Sequence, residues 1–190
     1  KYYNNYEKIV KKAFKKLPQA DVIIFDIDEV GNIDKRKKAT VISKVPFYKT
    51  FGSVHIAFKR NVIIKKNIRF NENFGAGSGK YAMAEDALLF REFTKKRLKV
   101  YRYPATISKV AFEGSTWFEG FTERYFYDTG AYLKAAYPKM CHLLKWYYPI
   151  RLKRKSKLTI IKMIKAINLG IYGYEKLLSF SEMMERKNAK

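Results

Sequence analysis

Apolar residues recur at helical spacing near the start of the chain and predict its first helix. Lysines occupy the opposite side of this helix, and Pro18 ends the pattern. The apolar run 21–27 that follows predicts a largely buried strand. An amphipathic helix followed by a buried strand favours a layered α/β fold. The apolar positions of the helix are Tyr6, Ile9, Val10, Ala13, Phe14 and Leu17.

Shorter apolar patterns extend this layered domain. A helix is expected to begin near Glu85, with Leu88, Leu89 and Phe93 on its inward side. Pro104 is expected to stop a strand, because proline has no N–H group to give to a neighbouring strand. The predicted strands are 54–58, 98–103 and 106–110, with a short helical or irregular link at 61–67.

The pattern changes after residue 115, where aromatic-rich helical spacing begins. The last 60 residues carry 14 basic and 3 acidic residues, and an isoleucine stripe there lies opposite lysines. Such a helix can lie in an anionic membrane surface, or its stripe can pack on the body of the domain, and the sequence leaves both open. We therefore predict a domain at 1–115 and a helical, basic region at 116–190. The stripe is Ile160, Ile164, Ile167 and Ile171, and the lysines are Lys162 and Lys165.

Composition narrows the possible partners. With 190 residues, of which 47% are apolar, the chain can bury a substantial core and does not have the composition of a disordered protein. A net charge of +23 favours a polyanionic partner, which could be membrane phospholipid, nucleic acid or a phosphorylated substrate. The single cysteine, Cys141, excludes an internal disulfide and is expected to be a small buried residue.

A glycine-rich loop followed by two adjacent acids is the most informative motif. Gly75, Gly77 and Gly79 can take positive φ and let the backbone approach a ligand, and a helix beginning near Glu85 places Glu85 and Asp86 in its first turn. This arrangement suits a general base next to a bound substrate. The alternatives are an ordinary flexible connection and acids that merely favour a helix start.

Four segments in and around this motif resemble the acceptor-side part of family 2 glycosyltransferases of the GT-A fold, especially bacterial enzymes of capsule, cell-wall and exopolysaccharide synthesis. Their order and spacing are similar to the family's over roughly the first 130 residues. The resemblance implies a partial GT-A domain, in which a mixed sheet with flanking helices carries a helical C-terminal extension. The segments are 53–60, 68–77, 85–86 and 115–120.

The resemblance implies an inverting sugar transfer. Asp86 would be the base that deprotonates the acceptor hydroxyl, and Glu85 would orient the acceptor or tune Asp86. A neighbouring carboxylate raises the pKa of such a base and a helix N-terminus lowers it, and the sequence leaves the balance open. The loop would lie beside donor and acceptor through Gly75, Ala76 and Gly77. Trp117 would stack on a sugar or wall the acceptor pocket, or it would pack in the core.

Members of this family hold a divalent cation, Mn²⁺ or Mg²⁺, with an Asp-X-Asp motif that ends a nucleotide-binding half. This half is missing here, so we expect the chain to be a fragment that is inactive alone. Asp26 and Asp28 have the Asp-X-Asp spacing and hard oxygen ligands, but they follow a strand one step later than the family motif. We expect them to be solvated residues at a strand end and keep a metal site there as the alternative.

By resemblance, the donor is a nucleotide sugar, most often a UDP-sugar, and the acceptor is a glycan or a lipid-linked glycan. The expected location is cytoplasmic, at the inner face of the cell membrane. Two other classes stay open. A basic nucleic-acid-binding module would explain the charge and the tyrosines. A non-catalytic membrane-surface adaptor would explain the basic C-terminal region alone.

Overall fold

The computed structural model describes residues 1–30, 37–111 and 118–189. The fold class is α/β, as predicted. Contacts divide the chain into a first unit, Lys1–Phe70 with Leu89–Ser115, and a second unit, Asn71–Leu88 with Thr116–Lys190. The elements are α1 (Tyr6–Lys16), β1 (Val22–Val30), β2 (Ser43–Lys44), a 3-10 turn (Ser53–His55), β3 (Ile56–Phe58), α2 (Arg60–Lys65), α3 (Glu85–Lys95), β4 (Val100–Ala111), α4 (Glu123–Ala136), α5 (Cys141–Leu144), α6 (Tyr147–Leu152), α7 (Ile160–Glu175) and α8 (Phe180–Asn188).

The first unit contains a four-stranded mixed sheet in the order β2-β4-β1-β3. Strands β1 and β4 run parallel, whereas β3 pairs with β1 and β2 pairs with β4 antiparallel. The predicted helix α1 and the predicted strand at 21–27 are both confirmed, and β1 continues three residues further, to Val30. The short link at 61–67 is helical over Arg60–Lys65.

Strand β1 is a continuous apolar run because both of its faces are covered. Ile23 and Phe25 pack with residues of α1, whereas Val22 and Ile24 pack with Phe90 and other residues of α3. All four of these β1 side chains have no exposed surface. A strand buried on both faces is expected to lack the alternation of a half-exposed strand, and the segment at 21–27 lacks it.

The prediction that Pro104 ends a strand is wrong. Strand β4 runs through it from Val100 to Ala111. Between the pairs Ile24/Arg102 and Asp26/Thr106, β1 advances by two residues while β4 advances by four. The extra residues, Pro104 among them, form a bulge, one of the few places where a sheet tolerates a residue without an N–H group.

The strand predicted at 54–58 is half right. Ser53–His55 forms a 3-10 turn, and only Ile56–Phe58 pairs with β1. His55 is buried at the end of this turn, where its Nδ1 lies 2.7 Å from the backbone oxygen of Phe25. This buried hydrogen bond accounts for a turn where the alternating pattern suggested extended chain.

The second unit is built around the crossing of α4 and α7. Each helix has a threonine N-cap, Thr122 and Thr159, whose hydroxyl accepts a backbone N–H of the first turn. Two glycines let the helices touch. A Cβ on Gly130 would lie 2.1 Å from the backbone oxygen of Ile167, and one on Gly170 would lie 1.9 Å from that of Tyr127. No larger residue fits at this backbone-to-backbone contact.

The C-terminal half of the isoleucine stripe of α7 packs in the core of the second unit, which was one of the two predicted roles, and the first two residues of the stripe are half-buried. Ile167 and Ile171 are buried together with Met163 and Phe126. Cys141 is fully buried in the same cluster, as predicted. In the part of the chain that the structure describes, no helix is long and apolar enough to cross a membrane.

The segment 71–88 belongs to the second unit by its contacts, although in sequence it lies between the two parts of the first unit. Helix α3 therefore contributes its first turn to the second unit and its remainder to the first. The domain boundary at residues 115 and 116, drawn from composition, stays a prediction.

Candidate functional site

The glycine-rich loop is closed by its own backbone. Gly75 N–H donates to the oxygen of Tyr81 at 2.9 Å, and Tyr81 N–H donates to Asn73 at 3.0 Å. Gly75, Gly77 and Gly79 have φ angles of 108°, 86° and 75°. These values confirm the predicted positive φ, a region that glycine enters without strain. The loop is thus a fixed turn with defined backbone directions.

The loop contacts the first acid of the motif directly. A Cβ built on Gly75 would lie 3.2 Å from both Cγ and Cδ of Glu85. Gly75 is buried and Glu85 is half-buried. A larger residue at position 75 would be strained by its φ and would press on the Glu85 side chain. Gly75 therefore lets the loop backbone pack on this carboxylate.

Helix α3 begins at Glu85 and holds Glu85 and Asp86 in its first turn, as predicted. Both side chains are half-buried. The residue just before them, Ala84, has a φ of 82°, and its oxygen accepts the N–H of Leu88 at 2.9 Å. A non-glycine residue in this region stores on the order of 1–3 kcal/mol of strain. The chain thus enters α3 through a strained residue next to the two acids.

Helix α8 holds the end of the loop. Lys80 Nζ lies 2.9 and 3.0 Å from the two carboxylate oxygens of Glu182. Glu182 also accepts the N–H of Ser179, and the two residues form a capping box at the start of α8. The Ser179 N–H and the Lys80 ammonium lower the pKa of Glu182 to about 2. Glu182 therefore stays a carboxylate and keeps its contact with the loop above pH 3.

Aromatic rings pack on the loop from inside the second unit. The Phe74 and Tyr81 ring centroids are 4.7 Å apart, and Tyr174 lies 5.9 Å from each. Tyr81 also contacts Tyr127, whose hydroxyl donates to the oxygen of Leu178 at 2.7 Å. Burial raises the pKa of the Tyr81 and Tyr127 hydroxyls, so both stay neutral at physiological pH.

Asp128 of α4 is a buried acid that sequence reasoning missed. Its side chain is only 2% exposed, and its Oδ2 accepts the N–H of Ala82 at 3.0 Å. Its Oδ1 has no hydrogen-bond partner among the described residues. Burial raises the pKa of Asp128 to about 6, although the Ala82 N–H and Arg124 oppose the rise. Asp128 thus ties α4 to the segment that leads into Glu85.

A cavity of about 40 Å³ lies beside Asp128 in the second unit. It has room for about three water molecules or for one polar group of a ligand. Glu119 and Arg124 form an ion pair at 3.6 Å in its lining. The lining residues are Ala82, Met83, Phe118, Glu119, Gly120, Thr122, Arg124, Tyr125 and Asp128.

The structure brings most of the predicted site together. Gly75, Ala76, Gly77, Glu85 and Asp86 all belong to the second unit, and Ala76 and Gly77 are exposed to solvent. Trp117 lies outside the described residues. Their roles in binding or catalysis stay predictions.

Asp26 and Asp28 are paired with basic side chains of the first unit. Asp26 Oδ1 lies 2.6 Å from the Arg102 guanidinium, and its Oδ2 accepts the N–H of Ala39. The expectation that both acids are solvated is wrong for Asp26, which is 5% exposed, because the neighbouring strand supplies a half-buried cationic partner. Asp28 is half-exposed and pairs with Lys38 at 2.5 Å, which lowers its pKa.

A divalent cation does not fit the acids described here. Within 1–30, 37–111 and 118–189, no three His, Cys, Asp or Glu side chains are grouped so that they could hold a metal ion. The protein's own cations already compensate Asp26 and Asp28. The expected Mn²⁺ or Mg²⁺ therefore stays a prediction that depends on an Asp-X-Asp motif elsewhere.

The residues that the sequence did not reveal share one property. Asp128 and Glu182 matter because of their partners, and Ala84 matters because of its backbone angle. The amino-acid sequence shows neither partners nor backbone angles. Asp128 carried a weak signal, since it is an acid within an aromatic helical segment and the next acid along the chain is Glu175.

Comparison of the sequence with protein-family models gave no match, and comparison with curated proteins gave none either.

Proposed function

We propose that this chain is the acceptor-side, base-carrying part of a GT-A family 2 glycosyltransferase. It would help transfer a sugar from a nucleotide sugar to a glycan or a lipid-linked acceptor in the synthesis of a cell-surface polysaccharide, at the cytoplasmic side of the membrane. The contact of Gly75 with the Glu85 side chain carries the proposal. This contact joins an exposed glycine loop to the acidic first turn of α3, as an acceptor site with a general base requires.

The proposed reaction uses Asp86 as the base. The acceptor hydroxyl oxygen forms a bond to the anomeric carbon of the donor while the bond from that carbon to the diphosphate breaks on the opposite face. The diphosphate leaves with the bonding electrons, and the hydroxyl proton passes to a carboxylate oxygen of Asp86. A positioned base of this kind contributes about 10²- to 10⁴-fold to a rate.

Glu85 is proposed to orient the acceptor rather than to take its proton. Its side chain is packed by Gly75, so its carboxylate has a fixed direction relative to the loop. The exposed residues Ala76 and Gly77 present backbone groups to the donor sugar and the acceptor. Catalytic geometry must be held closely, because small displacements of a catalytic group cost rate.

Two contacts and one strained backbone angle support such a fixed geometry. Lys80 and Glu182 hold the end of the loop, and Asp128 holds the backbone at Ala82. Ala84 keeps a strained φ between these anchors and the acids. Strain of this kind persists where surrounding contacts over-determine the backbone, as they commonly do at functional sites.

Sugar-nucleotide turnover by the native-length protein tests the proposal, with a panel of donors and with Mn²⁺ or Mg²⁺ present. Asp86→Asn is expected to lower kcat about 100-fold or more while donor binding is retained. Glu92→Gln on the same helix is the matched control, because Glu92 lies beyond the first turn and pairs with Lys95. This control should change kcat by less than about twofold.

A glycine pair tests the loop contact. Gly75→Ala and Gly79→Ala are both strained by a positive φ, but only the first would press on Glu85. We expect Gly75→Ala to lower kcat about tenfold more than Gly79→Ala does. Unchanged turnover in Asp86→Asn removes Asp86 from the mechanism. Absence of turnover with every donor, in a folded protein, leaves the nucleic-acid and adaptor functions instead.

A further inference from the structure

An apolar stripe of the second unit is exposed on the segment that contains α5 and α6. Each of its residues has another member of the stripe three or four positions away, which places them on one side of a helical path. We name this surface the 140–150 face. It consists of Met140, Leu143, Trp146, Tyr147 and Ile150, which are 50%, 70%, 50%, 51% and 68% exposed.

The backbone keeps this stripe on one side. Lys145 and Trp146, which link α5 to α6, both have right-handed helical angles. The opposite side of the segment is buried in the core of the second unit through Cys141, Pro149 and Leu152. A helical segment that is apolar all round is normally covered on both sides. One side of this segment is covered and the other is open.

The chain segment that carries the 140–150 face has charges of a single sign. Seven basic residues occur between positions 139 and 157, and the sequence has no acid between Asp128 and Glu175. Six of the seven are exposed, and Lys145 is half-buried. The partner that covers this face must therefore be anionic as well as apolar. The basic residues are Lys139, Lys145, Arg151, Lys153, Arg154, Lys155 and Lys157.

Two of these cations lie on the aromatic rings of the face. Lys145 Nζ is 5.7 Å from the Trp146 ring centroid, and the Arg151 guanidinium is 5.6 Å from that of Tyr147. Arg151 also donates a hydrogen bond to the Tyr147 hydroxyl. Amphipathic aromatic rings with cations beside them suit the boundary between acyl chains and phosphate headgroups.

We propose that the 140–150 face binds the surface of an anionic lipid bilayer. Leu143 and Ile150, its most exposed members, would enter the acyl region, Trp146 and Tyr147 would lie at headgroup level, and the cations would contact lipid phosphates. A nucleic acid fits less well, because bases stack on aromatic rings and gain little from branched aliphatic side chains. This inference does not depend on the transferase proposal.

Vesicle binding by the 190-residue chain tests it without any turnover, so the two proposals can fail separately. The vesicles are phosphatidylcholine alone or phosphatidylcholine with about a third of phosphatidylglycerol. We expect binding to the anionic vesicles only, with an affinity that falls as salt is added. The Trp117→Phe variant keeps Trp146 as its single tryptophan, whose emission should shift to the blue and be quenched by brominated acyl chains.

Paired variants locate the contact. Leu143→Ser with Ile150→Ser is expected to weaken vesicle binding by at least about tenfold, because both side chains leave the acyl region. Replacing Lys153, Arg154 and Lys155 with glutamine is expected to weaken it about 100-fold at low salt. The matched control is Val41→Ser with Ile64→Ser, which removes two apolar side chains that are 67% and 65% exposed in the first unit.

Three results would overturn the proposal. One is a control variant that loses as much affinity as the variant of the 140–150 face. Another is tight binding of single-stranded oligothymidylate that depends on this face, together with no vesicle binding. The third is a dimer in sedimentation velocity that the Leu143→Ser, Ile150→Ser variant abolishes, again without vesicle binding, because the face would then cover a second copy of the chain.

Discussion

The isoleucine stripe of α7 and the 140–150 face are two apolar surfaces of the same unit that differ in burial. Both follow helical spacing and both have lysines nearby. Ile167 of the first surface has no exposed area, whereas Ile150 of the second is 68% exposed. Apolar periodicity therefore predicts that a side chain will be covered, but it does not predict whether the chain itself or a partner covers it.

Small residues where α4 and α7 cross distinguish the two surfaces. Gly130 on α4 and Gly170 on α7 let the two backbones touch, so the second half of the α7 stripe is buried in a cluster with residues of α4. The 140–150 face has bulky residues at every position of its stripe. Such a surface suits a soft partner that can deform around large side chains, and a lipid layer has this property.

A methyl group added where α4 and α7 touch should lower the stability of the protein more than any other change proposed for these surfaces. Gly170→Ala places a methyl group on the backbone oxygen of Tyr127, and a backbone cannot move aside as a flexible side chain can. We expect the free energy of unfolding in urea to fall by about 4 kcal/mol or more. Lys165→Ala, at an exposed position of the same helix, should change it by less than about 0.5 kcal/mol. Equal losses in the two variants would mean that the helices do not meet at Gly170.

A matched pair of isoleucines compares the two surfaces directly. Ile167→Ala should lower the free energy of unfolding by about 3 to 4 kcal/mol, because it leaves a cavity in the core. Ile150→Ala should lower it by less than about 0.5 kcal/mol, because this side chain is already in solvent. Affinity for anionic vesicles should fall in Ile150→Ala. It should stay constant in Ile167→Ala molecules that remain folded. A large stability loss in Ile150→Ala would show that the 140–150 face is covered within the chain.

The smallest effect concerns Asp128, on the helix that covers the α7 stripe. Its folded pKa of about 6 lies above the ordinary value of 3.8, so its contribution to stability is complete below pH 4 and is lost as pH rises through 6. The free energy of unfolding of the wild type, relative to Asp128→Asn, should fall by about 2 to 3 kcal/mol between pH 4 and pH 7. Parallel pH profiles of the two proteins would show that folding does not raise the pKa of Asp128.

Much of the fold could be predicted where the apolar pattern of a segment matches the burial of its side chains. Helix α1 and strand β1 follow from apolar spacing and Pro18, and the first turn of α3 follows from Glu85 and Asp86 after the loop. Strand β4 could not be predicted whole. Whether Pro104 ends a strand or sits in a bulge depends on its register with β1, which is a property of the pair.

The candidate site shows the same limit. The glycines and the acids were visible as a motif, because glycine and carboxylates have special backbone and chemical roles. The anchors were not visible. Asp128 meets Ala82 across 46 positions and Lys80 meets Glu182 across 102, and neither pair has a sequence signature. The 140–150 face was missed because its stripe crosses two short helices and their link.

The contact between Lys80 and Glu182 also determines when the glycine-rich loop becomes anchored during synthesis. A ribosome that adds about 5 to 20 residues per second needs about 5 to 20 seconds to reach position 182 after it has made position 80. During this interval the loop has been synthesised, but it lacks its ion pair with Glu182. A nascent chain would therefore expose the loop to proteases and chaperones until α8 emerges.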